Sequence, residues 1–299
     1  MSAAAGKIAA VHNHFAALHN KLICPICHQP LQLTANSFKC VLGHCFDLSA
    51  QNYLNLAPQK NQITNKYNAA LFNARRQVFA AGLYSPLLQK LLNICTDYQH
   101  TMSAERTLSI LDAGCGEGYF AANLQQQIQS AEVLALDLAR SALQMAAKTY
   151  RQSGLYCLIA DLANLPLPDD SMDVILNLLS PANYHEFKRV LKPGGLLIKV
   201  IPGSQYLAEV RDYLNIPAQA ALEEQQAAKL WQQTFPQAQE TFVTYQQMIT
   251  PDLAAAFLQM SPLSFNHSPL TQANDNKLFT KITIDLKILT AYVKTQTEK

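Results

Sequence analysis

"TLSILDAGCGEGYF", residues 107–120, decides the fold. Its first half is an apolar run of strand length, and its second half spaces Gly114, Gly116 and Gly118 two apart before an aromatic pair that opens a helical pattern. Glycines at such a turn let the backbone bend tightly and approach a ligand where a Cβ would collide. Outward from the turn the pattern alternates. "GYFAANLQQQI" is helical, "EVLALDLA" a strand, "SALQMAAKTY" helical, "YCLIADL" and "SMDVILNLLS" strands, "NYHEFKRVL" helical and "GLLIKVIP" a strand. This rhythm predicts an α/β domain whose parallel sheet is covered by helices, with its ligand outside the carboxyl ends of the strands.

A G-x-G-x-G turn is shared by several nucleotide-binding folds, so its flanks discriminate. Asp112 stands immediately before the turn, where a carboxylate suits a ligand carrying an ammonium group and no pyrophosphate. Asp137 ends the second strand, placed to accept hydrogen bonds from two ribose hydroxyls. Asp161 ends the third, where its carboxylate or the neighbouring amide of Leu162 can meet an adenine amino edge. For Asp137 and Asp161, capping the next helix is the plainer alternative. Cys115 reads as a small packing residue, because no basic partner is near it in sequence.

A second chemistry precedes this one. Cys24, Cys27, Cys40 and His44 follow C-x2-C-x12-C-x3-H, the spacing with which two short turns deliver four ligands to one tetrahedral zinc ion. Between the pairs, "QPLQLTANSFKC" alternates apolar and polar positions around Asn36-Ser37, as a two-stranded ribbon does. Cys45 is an alternative fourth ligand to its neighbour His44. Four protein ligands leave no open position, so the site is structural.

Composition agrees with an intracellular enzyme. Of 299 residues, 49% are hydrophobic and 15% charged, the net charge is +2, and no run of eighteen apolar residues could span a membrane. The seven cysteines are an odd number in a long chain without an export pattern, which favours thiols and thiolates over disulfides and a cytoplasmic location.

Asp112, the glycines, Asp137, Asp161 and "RVLKPGG" resemble the class I S-adenosylmethionine-dependent methyltransferases, which implies a Rossmann-like, mostly parallel seven-stranded sheet. With the zinc pattern and "FNARRQVFAAGLYSPL" between the two, the chain from about residue 22 onward resembles the RlmA-type 23S ribosomal RNA guanine-N1 methyltransferases. The resemblance implies methyl transfer from S-adenosylmethionine to N1 of one guanine in a 23S rRNA hairpin near the peptide exit tunnel, by a homodimer holding one structural zinc. It gives Cys24, Cys27, Cys40 and His44 to the metal, and Tyr84, Gly116, Glu117, Asp137 and Tyr206 to the cofactor, beside Asp112, Gly114, Asp161 and Leu162. The chain departs from the family at Ala70, where Glu is usual, and in residues 1–20, which shorter members lack.

The expected organisation is a helical N-terminal extension over 1–20, a zinc ribbon over 21–58, a helical linker contributing to the cofactor site over 59–103, and a methyltransferase domain over 104–299. The target base is expected at "NLLSPANYHEF", where Asn183 or Glu186 could read the guanine edge and Tyr184 could stack on it. A first-turn helix carboxylate is an equal alternative for Glu186. Arg75, Arg76, Lys39, Lys60 and Lys66 are candidate phosphate contacts. A small-molecule methyltransferase with the zinc as a brace, its pocket lined from "TFVTYQQMITPDLAAAFLQMSPLSF", is the competing reading.

Overall fold

The computed structural model describes residues 3–57, 68–102, 106–216, 222–266 and 278–293. The chain forms two compact units, one of Met1–Ile63, Leu92–Leu197 and Tyr292–Lys299, the other of Thr64–Leu91 and Ile198–Ala291.

The first unit opens with helix α1 (Ala3–Phe15) and a 3-10 turn (Ala16–Leu18). Val11, Phe15 and Leu18 are buried. His14 stacks on Tyr156 with ring centroids 4.5 Å apart and hydrogen-bonds the Leu155 carbonyl at 3.1 Å. Five short strands follow: β1 (Leu22–Ile23), β2 (Pro30–Leu33), β3 (Ser37–Lys39), β4 (Cys45–Ser49) and β5 (Tyr53–Asn55). β1 to β5 pair antiparallel in sequence order, with Leu33 opposite Phe38 and Phe38 opposite Phe46.

The glycine turn follows β6 (Leu108–Ala113) and opens α4 (Tyr119–Gln127). Helix α3 (Ser85–Thr101) precedes β6. Beyond α4 come β7 (Ala131–Asp137), α5 (Arg140–Thr149), β8 (Tyr156–Ile159), β9 (Met172–Leu178), α6 (Tyr184–Val190) and β10 (Leu191–Pro202). Strand order in this unit is β1-β2-β3-β4-β5-β8-β7-β6-β9-β10. β8, β7, β6 and β9 run parallel, and their central residues are almost wholly apolar because helices cover such sheets on both faces. The ribbon is not a separate bead: β5 adds parallel to β8, with Leu54 opposite Leu158, and covers an edge that would otherwise offer unpaired backbone.

The second unit holds α2 (Ala69–Ala80), whose N-cap Asn68 accepts from the Leu71 N–H at 3.0 Å, together with α7 (Ala208–Tyr213), α8 (Leu222–Thr234) and α9 (Pro251–Met260). Its strands run β10-β12-β11, with β11 (Gln239–Met248) antiparallel to β12 (Lys281–Tyr292) from Gln239 opposite Thr290 to Met248 opposite Lys281. Among the described residues the sheet is mixed and holds twelve strands where seven were expected, five of them from the ribbon. Among the described residues no single helix is long and apolar enough to cross a membrane.

Candidate active site and metal centre

The Cys24, Cys27 and Cys40 sulfurs and a ring nitrogen of His44 all lie within 4.8 Å of one another. Cys27 and Cys40 Sγ are 3.6 Å apart, and His44 Nδ1 is 3.5 Å from Cys24 Sγ and 3.4 Å from Cys40 Sγ. Tetrahedral bonds of about 2.3 Å to sulfur and 2.0 Å to nitrogen would separate the ligands by about 3.8 Å and 3.5 Å, so the donor set fits zinc. Cys45 is exposed and its Sγ lies 3.8 Å from Asp47 Oδ1, outside the cluster, which leaves His44 as the fourth ligand. The strand explains this: Cys45 begins β4, so its side chain alternates away from the face that His44 serves. Ile26, Val41 and Leu42, at the tips of the two knuckles, are exposed by 54%, 76% and 66%.

The glycine turn is built as its sequence implies. Gly114 has φ +84°, and a Cβ there would meet Ser180 Oγ at 2.1 Å, so two loops converge on bare backbone. Asp137 closes the turn from the next strand: Oδ2 accepts from the Gly116 N–H and Oδ1 from the Ala139 N–H, each at 2.8 Å. Asp137 thus stands at the end of β7, tied to the glycine turn and to the residue that opens α5, and is half-buried. Asp112 is 1% exposed and its Oδ1 has no hydrogen-bond partner. Burial, with the Asp137 charge second, pushes its carboxyl up to about 7 against the pull of the Ala121 N–H. A buried acid with an orphaned oxygen is costly unless a cation completes it, so it fits an ammonium-bearing cofactor. Glu117 is 2% exposed. Burial and then the Asp112 and Asp137 charges push the Cys115 thiol well above its ordinary value, which leaves it a packing residue.

Asp161 lies just past β8 and turns the chain: Oδ1 accepts from the Ala163 N–H at 3.0 Å, and its carbonyl accepts from the Asn164 N–H at 3.1 Å. Leu162, next to it, is half-buried with its side chain 3.7 Å from where a Gly114 Cβ would stand. In the second unit Tyr84 is 2% exposed and its hydroxyl lies 2.5 Å from that of Tyr206. The Tyr245 hydroxyl donates to the Leu83 carbonyl, and burial followed by the Tyr206 hydroxyl pushes Tyr84 well above its usual value.

After β9 the candidate base-reading residues make local contacts of their own. Glu186, expected at a guanine edge, has both oxygens engaged by Arg189, at 2.9 and 2.8 Å, and Oε2 also accepts from the Leu165 N–H at 2.8 Å. The Arg189 hydrogen bonds, chiefly, hold its carboxyl below the usual range, and its place in the first turn of α6 accords with the helix-terminus alternative. All five Arg189 donors are used, the others going to the Leu165 and Leu167 carbonyls and Asp169. A cavity of about 450 Å³ beside this network is lined by Ile23, His28, Pro168, Asp169, Glu186 and Arg189. Asn183 caps α6, its Oδ1 accepting from the Glu186 N–H at 3.2 Å. Tyr184 is buried against Phe187 and belongs to the core.

Sequence reasoning missed Asn177. This buried amide in β9 donates to the Ala113 carbonyl at 2.7 Å and the Pro181 carbonyl at 3.0 Å, joining the end of β6 to the loop after β9. A lone amide within "MDVILNLLS" was the available signal. Lys39 is exposed, Arg76 is exposed and Arg75 lies over the Phe72 ring at 5.6 Å, whereas Lys60 and Lys66 lie outside the described residues. The stretch that a small-molecule pocket would need divides into a largely exposed β11 and an α9 packed on α2.

Two family models match the chain: the RlmA N-terminal zinc ribbon over residues 22–63 and a methyltransferase domain over 110–195. YxjB of Bacillus subtilis, named for guanine-N(1) methylation of 23S rRNA, is 35% identical over 64% of this chain and 67% of its own length. The 23S rRNA (guanine(748)-N(1))-methyltransferase of Streptomyces fradiae is 31% identical over 65% of this chain and 68% of its own. A protein of Micromonospora griseorubida named for the same reaction class is 32% identical over 65% and 70%. With the Cys3His cluster and the carboxylate-flanked glycine turn in one chain, it belongs to the family of 23S rRNA (guanine-N(1))-methyltransferases with an RlmA-type zinc ribbon.

Proposed function

We propose that this chain methylates N1 of a guanine in a hairpin of 23S rRNA, as a cytoplasmic homodimer whose zinc ribbon assists RNA recognition. The observation that carries this reading is a closed Cys3His cluster on the same continuous sheet as a buried, cation-seeking Asp112 at a glycine turn. S-adenosylmethionine, when bound, supplies the methyl group from its sulfonium. Asp112 pairs with the ligand's ammonium, Gly114 and Gly116 admit it against bare backbone, and Glu117 lines the turn. Asp137 accepts from the ribose hydroxyls, while Asp161 and the Leu162 amide meet the adenine edge. The resemblance also gives Tyr84 and Tyr206 to the cofactor. Cys24, Cys27, Cys40 and His44 hold the zinc.

Methyl displacement is mostly a matter of holding the guanine nitrogen in line with the reacting carbon. Asn183, its oxygen committed to the α6 cap, offers its amide N–H groups to the base. Guanine N1 loses a proton as the bond forms; with Glu186 locked by Arg189, that proton passes to water.

The test is transfer of label from methyl-tritiated S-adenosylmethionine to 23S rRNA from a strain lacking the gene, with a panel of small-molecule acceptors in parallel. Label in the RNA alone is expected. Cofactor binding with label only in a small molecule would overturn the reading.

A further inference from the structure

The turn that begins at Asp161 is held from two directions. From α6, Glu186 and Arg189 fix the Leu165 amide and the Leu165 and Leu167 carbonyls. From the ribbon, the Ile23 N–H donates to the Pro166 carbonyl at 3.0 Å, and Asn164 Nδ2 donates to the Pro25 carbonyl at 2.7 Å. Pro25 lies between the ligands Cys24 and Cys27, in a knuckle closed by bonds from the Cys24 N–H to the Gln29 carbonyl and from the His28 N–H to the Cys24 carbonyl, each 2.8 Å. Asn164 is also the closing residue of the Asp161 turn, its N–H meeting the Asp161 carbonyl at 3.1 Å. A single residue thus touches the metal knuckle with its side chain and the Asp161 turn with its backbone.

We propose that Asn164 is a positioning residue that couples the zinc knuckle to the cofactor turn, so that metal in the ribbon raises affinity for S-adenosylmethionine before any RNA binds. This rests on the assignment of Asp161 and Leu162 to the cofactor above. Without metal, three thiol groups and an imidazole have nothing to hold their spacing, the knuckle loosens and the Pro25 carbonyl leaves its place. The Asn164 amide then loses its acceptor and the turn samples positions from which Asp161 and Leu162 no longer meet the adenine edge. Both ligands favour one arrangement of one loop, which is the requirement for a reciprocal coupling between sites.

The test is a cycle of S-adenosylhomocysteine affinities measured by calorimetry on the full chain, without RNA: wild type and Asn164→Ala, each zinc-loaded and chelated, with zinc content by atomic emission. Asn164→Ala is expected to keep its zinc and bind the nucleoside about three- to tenfold more weakly, the loss of one half-buried hydrogen bond. Chelation should weaken wild type by at least that factor and weaken the variant less, since the link is already cut. A merely structural Asn164 would lower the melting temperature of the variant and leave the zinc dependence of affinity unchanged, which overturns the proposal. If chelation unfolds the protein, the zinc-loaded variant decides alone: wild-type affinity in it contradicts the coupling. Zinc-loaded wild type that binds no S-adenosylhomocysteine would overturn the cofactor assignment itself, whereas tight binding insensitive to Asn164 would overturn only the coupling.

Discussion

Asp112 shows what a single residue can reveal. Its carboxyl titrates near 7 in the free protein, against 3.8 ordinarily, because it is buried beside other carboxylates. A raised folded-state value means that the protonated fold is favoured below about pH 4 and that this contribution is lost as the pH rises toward 7. A cofactor ammonium reverses the trend by favouring the ionised form. Binding of S-adenosylhomocysteine near pH 6.5 is therefore expected to release a fraction of a proton, seen as calorimetric heats that vary with buffer ionisation enthalpy. Asp112→Asn should abolish the release and weaken binding at least about tenfold; an unchanged buffer dependence would remove Asp112 from the site. The position of Asp112 at the end of β6 was legible in the sequence because a carboxylate between an apolar strand and a glycine turn is a local pattern. For Glu186 the sequence left two readings open, because the partner that engages it, Arg189, is fixed only when α6 forms and the Leu165–Leu167 backbone packs beneath it. Arg189→Ala strands the Glu186 carboxylate and two backbone carbonyls, and an unfolding free energy lower by about 3 kcal/mol is expected by denaturant titration.

At the scale of elements, the strands and helices from 108 to 202 follow their hydrophobic periods closely, since buried parallel strands read as unbroken apolar runs. The C-x2-C and C-x3-H pairs were equally legible, because zinc geometry constrains short spacings directly. What the sequence could not show was pairing at a distance: that β5 would lie on β8, or that Asn164 would reach back 139 residues to Pro25. Those contacts depend on where chain segments meet, which no local period encodes. The choice between His44 and Cys45 also waited for the structure, because it turns on which side each of two adjacent residues presents where β4 begins.

For the whole molecule, a net charge of +2 gives no strong general attraction to RNA, so affinity must come from local contacts. Lys39, exposed one residue before the ligand Cys40, is the described basic residue nearest the metal knuckles in sequence. Lys39→Glu is expected to weaken RNA binding and to lower the slope of log affinity against log salt by about one or more, without changing affinity for S-adenosylhomocysteine. The measurement that reaches the central claim most directly is nucleoside mass spectrometry of 23S rRNA methylated by the purified protein, paired with reverse transcription across the modified site. Transfer to N1 yields 1-methylguanosine and a strong transcription stop, because the methyl group occupies the pairing edge. A methyl group recovered on guanine N7 or N2, on another base, or on ribose would contradict it.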